Sequence, residues 1–147
     1  MSRFLTDLIY RDIDSRYYEL HEPLVYYSSM FDHVFEAPVG FIFDLESVPV
    51  IRGTSNRGGC IHDLVCRKEF NLTIMQCADL YFEAMETVDE MKHQKAKRDG
   101  DKWLQTKRFD RWWRRTVKSN VVRLNWASFY HRWSIYSTYE ELRGCIA

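Results

Sequence analysis

Neither sign of charge dominates this chain. Its 147 residues carry 21 basic and 21 acidic side chains, so no global field draws it towards DNA, RNA or an anionic membrane. The four cysteines, Cys60, Cys66, Cys77 and Cys145, include no Cys-x-x-Cys pair and no metal-finger spacing. Three of them lie in or beside apolar helical patterns and read as small buried thiols. No apolar run reaches transmembrane length, and the opening Met1-Ser2-Arg3-Phe4-Leu5-Thr6-Asp7 puts an acid where a signal peptide needs an uninterrupted apolar stretch. These absences point to a soluble chain made in the cytoplasm. There is also no Gly-x-x-x-x-Gly-Lys-Ser/Thr phosphate loop, no internal repeat and no low-complexity tract.

What is present is core-forming material. With 46% apolar and 16% aromatic residues, the chain can bury the interior of a single compact domain spanning 1–147. The expected class is α+β: short N-terminal antiparallel strands or hairpins, a central antiparallel helical hairpin, and C-terminal aromatic-rich helices. Arg11 to Asp14 reads as a surface turn. Leu24 to Ser28, Phe31 to Phe35 and Val39 to Phe43 read as strands because their aromatic and β-branched side chains suit a pleated surface, with a turn at Glu36-Ala37-Pro38. Gly40 suggests a bulge or a close backbone approach.

Arg52 to Gly59 reads as a loop opening onto a short helix from about Gly59 to Glu69. Phe70-Asn71-Leu72 is the turn, and Thr73 with Gln76 forms a capping box for a long helix reaching Lys92 or beyond. Ile74, Cys77 or Ala78, Tyr81, Met85 and Val88 give that helix its buried stripe. A polar run from Lys92 to Lys102 is either a solvated helix end with a turn at Gly100 or a surface loop. From 103 to 143 aromatic residues alternate with arginines. Their helical spacing favours amphipathic helices docked on the core, with arginines in water, over a nucleic-acid surface.

Chemistry concentrates in Gly58-Gly59-Cys60-Ile61-His62-Asp63 and in Asp79. His62 lies nine residues before Asn71 and Asp79 eight after it, so a closed hairpin sets both roughly 12 Å from the turn, where an imidazole–carboxylate contact is feasible. His62 is then the candidate base and Asp79 its orienting carboxylate. Asp63, helped by Asp44, is the candidate ligand for calcium or another divalent cation. Ser47 and Cys66 are candidate supporting residues. Cys66 shares the His62 helix face and offers a nucleophile as an alternative, while a purely structural role for the cluster is a third reading.

Gly40-Phe41-Ile42-Phe43-Asp44-Leu45-Glu46-Ser47-Val48-Pro49, then Ile61-His62-Asp63, then Ala78-Asp79-Leu80-Tyr81-Phe82-Glu83-Ala84-Met85 resemble a phage and prophage family called domain of unknown function 1353 over about 34–91. The resemblance implies phage origin and a place in the tail or another virion assembly. Other virion or tail subunits would be the partners, with synthesis in the host cytoplasm before incorporation into the virion tail. More locally, Gly58 to Cys66 is similar to the His-Asp helix of secreted phospholipases A2, without that family's doubled cysteine or dense disulfides. That likeness implies His62 as base, Asp63 as calcium ligand and Asp79 as the support of the histidine. Two readings follow: a phage virion or tail protein with a hydrolase-like, cation-assisted site, or a noncatalytic structural or assembly protein of the tail or baseplate.

Overall fold

Aromatic residues alternating with polar or small ones build the N-terminal part of the computed structural model, which describes residues 1–14, 17–44, 55–66, 70–106, 112–117 and 120. Strands β1 (Arg3–Phe4), β4 (Leu24–Ser28) and β5 (His33–Ala37) form one antiparallel sheet in the order β1-β4-β5. Strands β2 (Tyr10–Asp12), β3 (Tyr17–Leu20) and β6 (Ile42–Asp44) form a second, in the order β2-β3-β6. Leu24, Tyr26 and Ser28 on β4 are buried, and Tyr26 pairs with Phe35 in register. In the second sheet the rings of Tyr10, Tyr18 and Phe43 meet at 5.2, 5.8 and 6.0 Å, within the range where aromatic pairs attract.

These contacts move several expected boundaries. Arg11 and Asp12 belong to a strand rather than a turn, because Tyr10 pairs with Leu20 and its ring is held by Tyr18 and Phe43. The strand expected at Phe31 to Phe35 runs instead from His33 to Ala37, after a turn in which Asp32 takes φ +46° and accepts a hydrogen bond from the Tyr27 hydroxyl. The next turn sits at 38–40, where the Phe41 N–H donates to the Pro38 carbonyl and Gly40 adopts φ +80°. A left-handed backbone, rather than a bulge, is what requires glycine there.

Helix α1 (Asn56–Val65) and helix α2 (Ile74–Arg98) form the antiparallel hairpin. Val65 meets Cys77, His62 meets Tyr81 and Gly58 meets Met85, so the partners recede together from the turn. The capping box is in place: the Gln76 N–H donates to Thr73 Oγ1 at 3.2 Å, and the Thr73 N–H donates to Gln76 Oε1 at 2.8 Å. Cys77, Ala78, Tyr81, Met85 and Val88 are buried as the period requires, but Ile74 is 40% exposed because it precedes the part of α2 that α1 covers. The polar run is the helix end, closed by Gly100 at φ +70° and followed by the short α3 (Lys102–Thr106).

The core lies between the sheets and the hairpin, with Tyr26, Phe43, Leu20, Leu24, Ile61, Leu64 and Leu80 fully enclosed. Each such side chain contributes about 1.5–3 kcal/mol on burial. No helix among the described residues is long and apolar enough to cross a membrane.

Candidate functional site

The site is built where α1 enters the core. Ser55 caps α1 by accepting the Gly58 N–H at 3.2 Å, so the helix starts at Asn56, three residues earlier than the glycines suggested. Gly58 is there for space. A Cβ at this position would lie 2.7 Å from Ser55 Oγ and 3.2 Å from Met85 Cγ. The missing side chain lets α1 and α2 approach closely, which carries His62 down onto Tyr81 at 5.0 Å between ring centroids.

The groups that meet the imidazole among the described residues come from this part of the hairpin. Asp79 stands two residues before Tyr81 on α2, about 200° around the helix. It is half-buried and has its own interaction, but the groups at the ring nitrogens of His62 come from α1 itself. Nδ1 lies 3.6 Å from Asp63 Oδ1, and Nε2 lies 3.5 Å from the Cys66 sulfur. The structure therefore brings His62, Asp63 and Cys66 together. The other Asp63 oxygen accepts the backbone N–H of Asp44 at 3.0 Å, tying α1 to β6. Ser47 lies outside the described residues, as do Cys145, His131, Trp126 and Trp133.

Burial governs the chemistry of this group. His62 and Asp63 are both buried, and Cys66 is fully enclosed. Burial lowers the His62 pKa to about 4, with the charge of Asp44 working weakly in the opposite direction. The ring is thus neutral at neutral pH, and it is a poor proton acceptor there, since a general base works best with a pKa near the working pH. The Cys66 thiol is pushed well up by its interaction with Cys77 and by burial. A nucleophilic cysteine needs the opposite shift. Among the described residues no three His, Cys, Asp or Glu side chains gather so as to hold a metal ion. Asp63 and Asp44 remain the candidate cation pair, with both Asp63 oxygens already engaged by His62 and by the Asp44 amide.

A second buried carboxylate escaped the sequence reading. Glu83 on α2 accepts from the hydroxyls of Ser2 at 2.5 Å, Ser28 at 2.6 Å and Tyr26 at 3.1 Å, and from the Met30 N–H at 3.0 Å. Burial pushes its pKa up, but these donors outweigh it and leave the carboxyl below its ordinary value. The signal was weak: Glu83 sits among apolar neighbours of the buried stripe, while its donors are serines and a tyrosine scattered through distant strands. Glu83 lies at the wall of an open groove of about 1110 Å³ along α2, bordered also by Met1, Phe4, Met30 and Met91. The His62 group does not line it.

Beyond α3, the helical stretch 112–117 returns to α2. Arg115 reaches Asp89 at 3.1 Å and Glu86 at 3.9 Å and lies 5.6 Å from the centre of the Phe82 ring. Trp103, Trp112 and Trp113 are 65%, 46% and 56% exposed. This reverses part of the expected amphipathic arrangement, because an arginine points inward and three tryptophans point out. Charge pairing with the acidic side of α2 provides the physical reason for the inward arginine.

Comparison of the chain with protein-family models, with curated proteins and with solved structures gave no match.

Proposed function

We propose that the chain is a noncatalytic structural or assembly protein of a phage tail or virion, in which His62, Asp63 and Cys66 brace the fold from within. The observation that carries this reading is the direction of His62. Its ring is buried against Tyr81, its nitrogens face Asp63 and Cys66, and burial keeps it neutral. The phage setting rests on the resemblance over 34–91. The exposed Trp103, Trp112 and Trp113 are the residues suited to contact other virion or tail subunits, since tryptophan dominates many interface centres.

The experiment compares His62→Gln with a triple serine variant at Trp103, Trp112 and Trp113. In purified phage particles the wild-type chain is expected as a stoichiometric component. The triple variant is expected to fold but to be missing from particles, and His62→Gln to lose stability. Absence of the wild-type chain from particles would overturn the assembly role.

A second reading keeps the hydrolase-like site. It is favoured by one observation, the carboxylate of Asp63 beside Nδ1 of His62, which is the relation that orients a catalytic imidazole. In it, a divalent cation such as calcium would be held by Asp63 and Asp44, and Asp79 would act from further along α2. Its mark would be cation-dependent hydrolysis of an ester substrate that His62→Gln abolishes without lowering stability.

A further inference from the structure

Strand β5 is an edge of the first sheet. It pairs with β4 on one side, and among the described residues no strand pairs with it on the other. With 5 residues it is longer than the other edge strands β1, β2 and β6, which have 2, 3 and 3. The ladder decides which of its backbone groups face outwards. The Leu5 N–H donates to the Val25 carbonyl at 2.8 Å, so Val25 and, two residues on, Tyr27 turn their backbone groups towards β1. Antiparallel ladders alternate, so Leu24, Tyr26 and Ser28 turn theirs towards β5, where they meet Ala37, Phe35 and His33. Val34 and Glu36 are left with N–H and C=O groups directed away from the sheet, and among the described residues nothing hydrogen-bonds to them there.

Natural edges of this kind are guarded by lysine, proline, a bulge or a covering segment. Between His33 and Ala37 there is no lysine, arginine or proline, and β4 pairs with every position in turn, so there is no bulge. The side chains of His33, Val34 and Glu36 are exposed, Val34 by 47%. We propose that a second copy of this chain covers the edge, the two β5 strands pairing antiparallel about a two-fold axis at Phe35.

Self-complementarity selects this occupant. With the axis at Phe35, Val34 of each copy lies opposite Glu36 of the other, so both outward-facing residues of each strand fall in hydrogen-bonded pairs. Neither pair sets like charges against each other, which would destabilise a directly opposed pair. The same axis brings the start of one β5 to the end of the other, where the exposed Met30 of one copy and the exposed Val39 of its partner come to the same end of the pairing. The product is one continuous sheet in the order β1-β4-β5-β5-β4-β1, closed at the dimer because both β5 edges are used. This interface goes beyond the assembly role and does not depend on the exposed tryptophans.

The test is sedimentation equilibrium of the full chain over a concentration series, where the wild type is expected to show a reversible monomer–dimer equilibrium. Val34→Glu sets glutamates opposite one another in both pairs and should raise the dimer Kd about tenfold, whereas Val34→Lys sets a lysine opposite each Glu36 and should lower it about threefold. Adding Glu36→Lys to Val34→Glu restores opposite charges, so this double variant should dimerise at least as well as the wild type, which separates lost pairing from lost folding. Hydrogen exchange at the Val34 and Glu36 amides should slow as the concentration rises. A wild-type chain that stays monomeric throughout, as it would if another protein's strand takes this edge, overturns the proposal. So does a dimer whose Kd is the same in Val34→Glu and Val34→Lys.

Discussion

His62 Nδ1 lies 3.6 Å from Oδ1 of Asp63, the next residue on its own helix, and the other oxygen of that carboxylate accepts the Asp44 amide of β6. One side chain thus joins the imidazole of α1 to a strand of the second sheet. The ring it faces is neutral because it is buried, with a pKa lowered from 6.5 to about 4. A depressed folded-state pKa means that the unfolded chain binds the proton more readily. The contribution is therefore fully present above pH 6.5 and is lost as the pH falls towards 4. The expected difference across that window is about 3 kcal/mol. Urea unfolding of the wild type and of His62→Gln at several pH values checks it: the variant should lose most of the acid-side slope.

Glu83 supplies a second, independent tether, between α2 and the first sheet. Replacing it by glutamine keeps the shape but turns an amide towards the hydroxyl and amide donors of Ser2, Ser28, Tyr26 and Met30. The expected loss is about 2–4 kcal/mol at neutral pH. Because the native carboxyl is held below its ordinary pKa, this contribution is present above the unfolded value and fades as the pH falls through the folded one. Chemical denaturation at neutral and acid pH should show wild type and Glu83→Gln converging in acid.

Much of the helical hairpin was legible because its signals are local. The capping box at Thr73 and Gln76, the stripe from Cys77 to Val88 and the stop at Gly100 all follow from spacing along one helix. The surroundings of His62 were less legible. Tyr81 packs on its ring because the absent Cβ of Gly58 lets the two helices approach closely, a property of both helices together. Glu83 was hidden for a related reason. Its five donor atoms come from residues more than fifty positions away, so no window of sequence contains the network.

Gly58→Ala tests the close approach of α1 and α2. Alanine is worth about 1 kcal/mol more than glycine in a helix, but the new Cβ would sit 2.7 Å from Ser55 Oγ and 3.2 Å from Met85 Cγ. Overpacking costs about 1–3 kcal/mol, so the net change should be destabilising. Thermal unfolding should show a lower Tm for Gly58→Ala. Truncating Met85 to alanine in the same chain should recover part of the Gly58→Ala penalty, because it removes one of the two clashes.

Thr73→Ala removes the side chain that accepts the Gln76 N–H. The expected cost is about 1 kcal/mol, typical of losing an N-cap. Hydrogen exchange should show the effect concentrated in the first turn of α2, with amides beyond Tyr81 less affected.

The central claim is that His62 is an enclosed, neutral brace rather than a working base. The most direct measurement is an NMR titration of the His62 imidazole in the full chain. The account predicts a transition near pH 4, with the ring neutral throughout the neutral range. A transition near 6.5 or above would contradict it, showing a solvated or charge-stabilised imidazole of the kind a catalytic site uses.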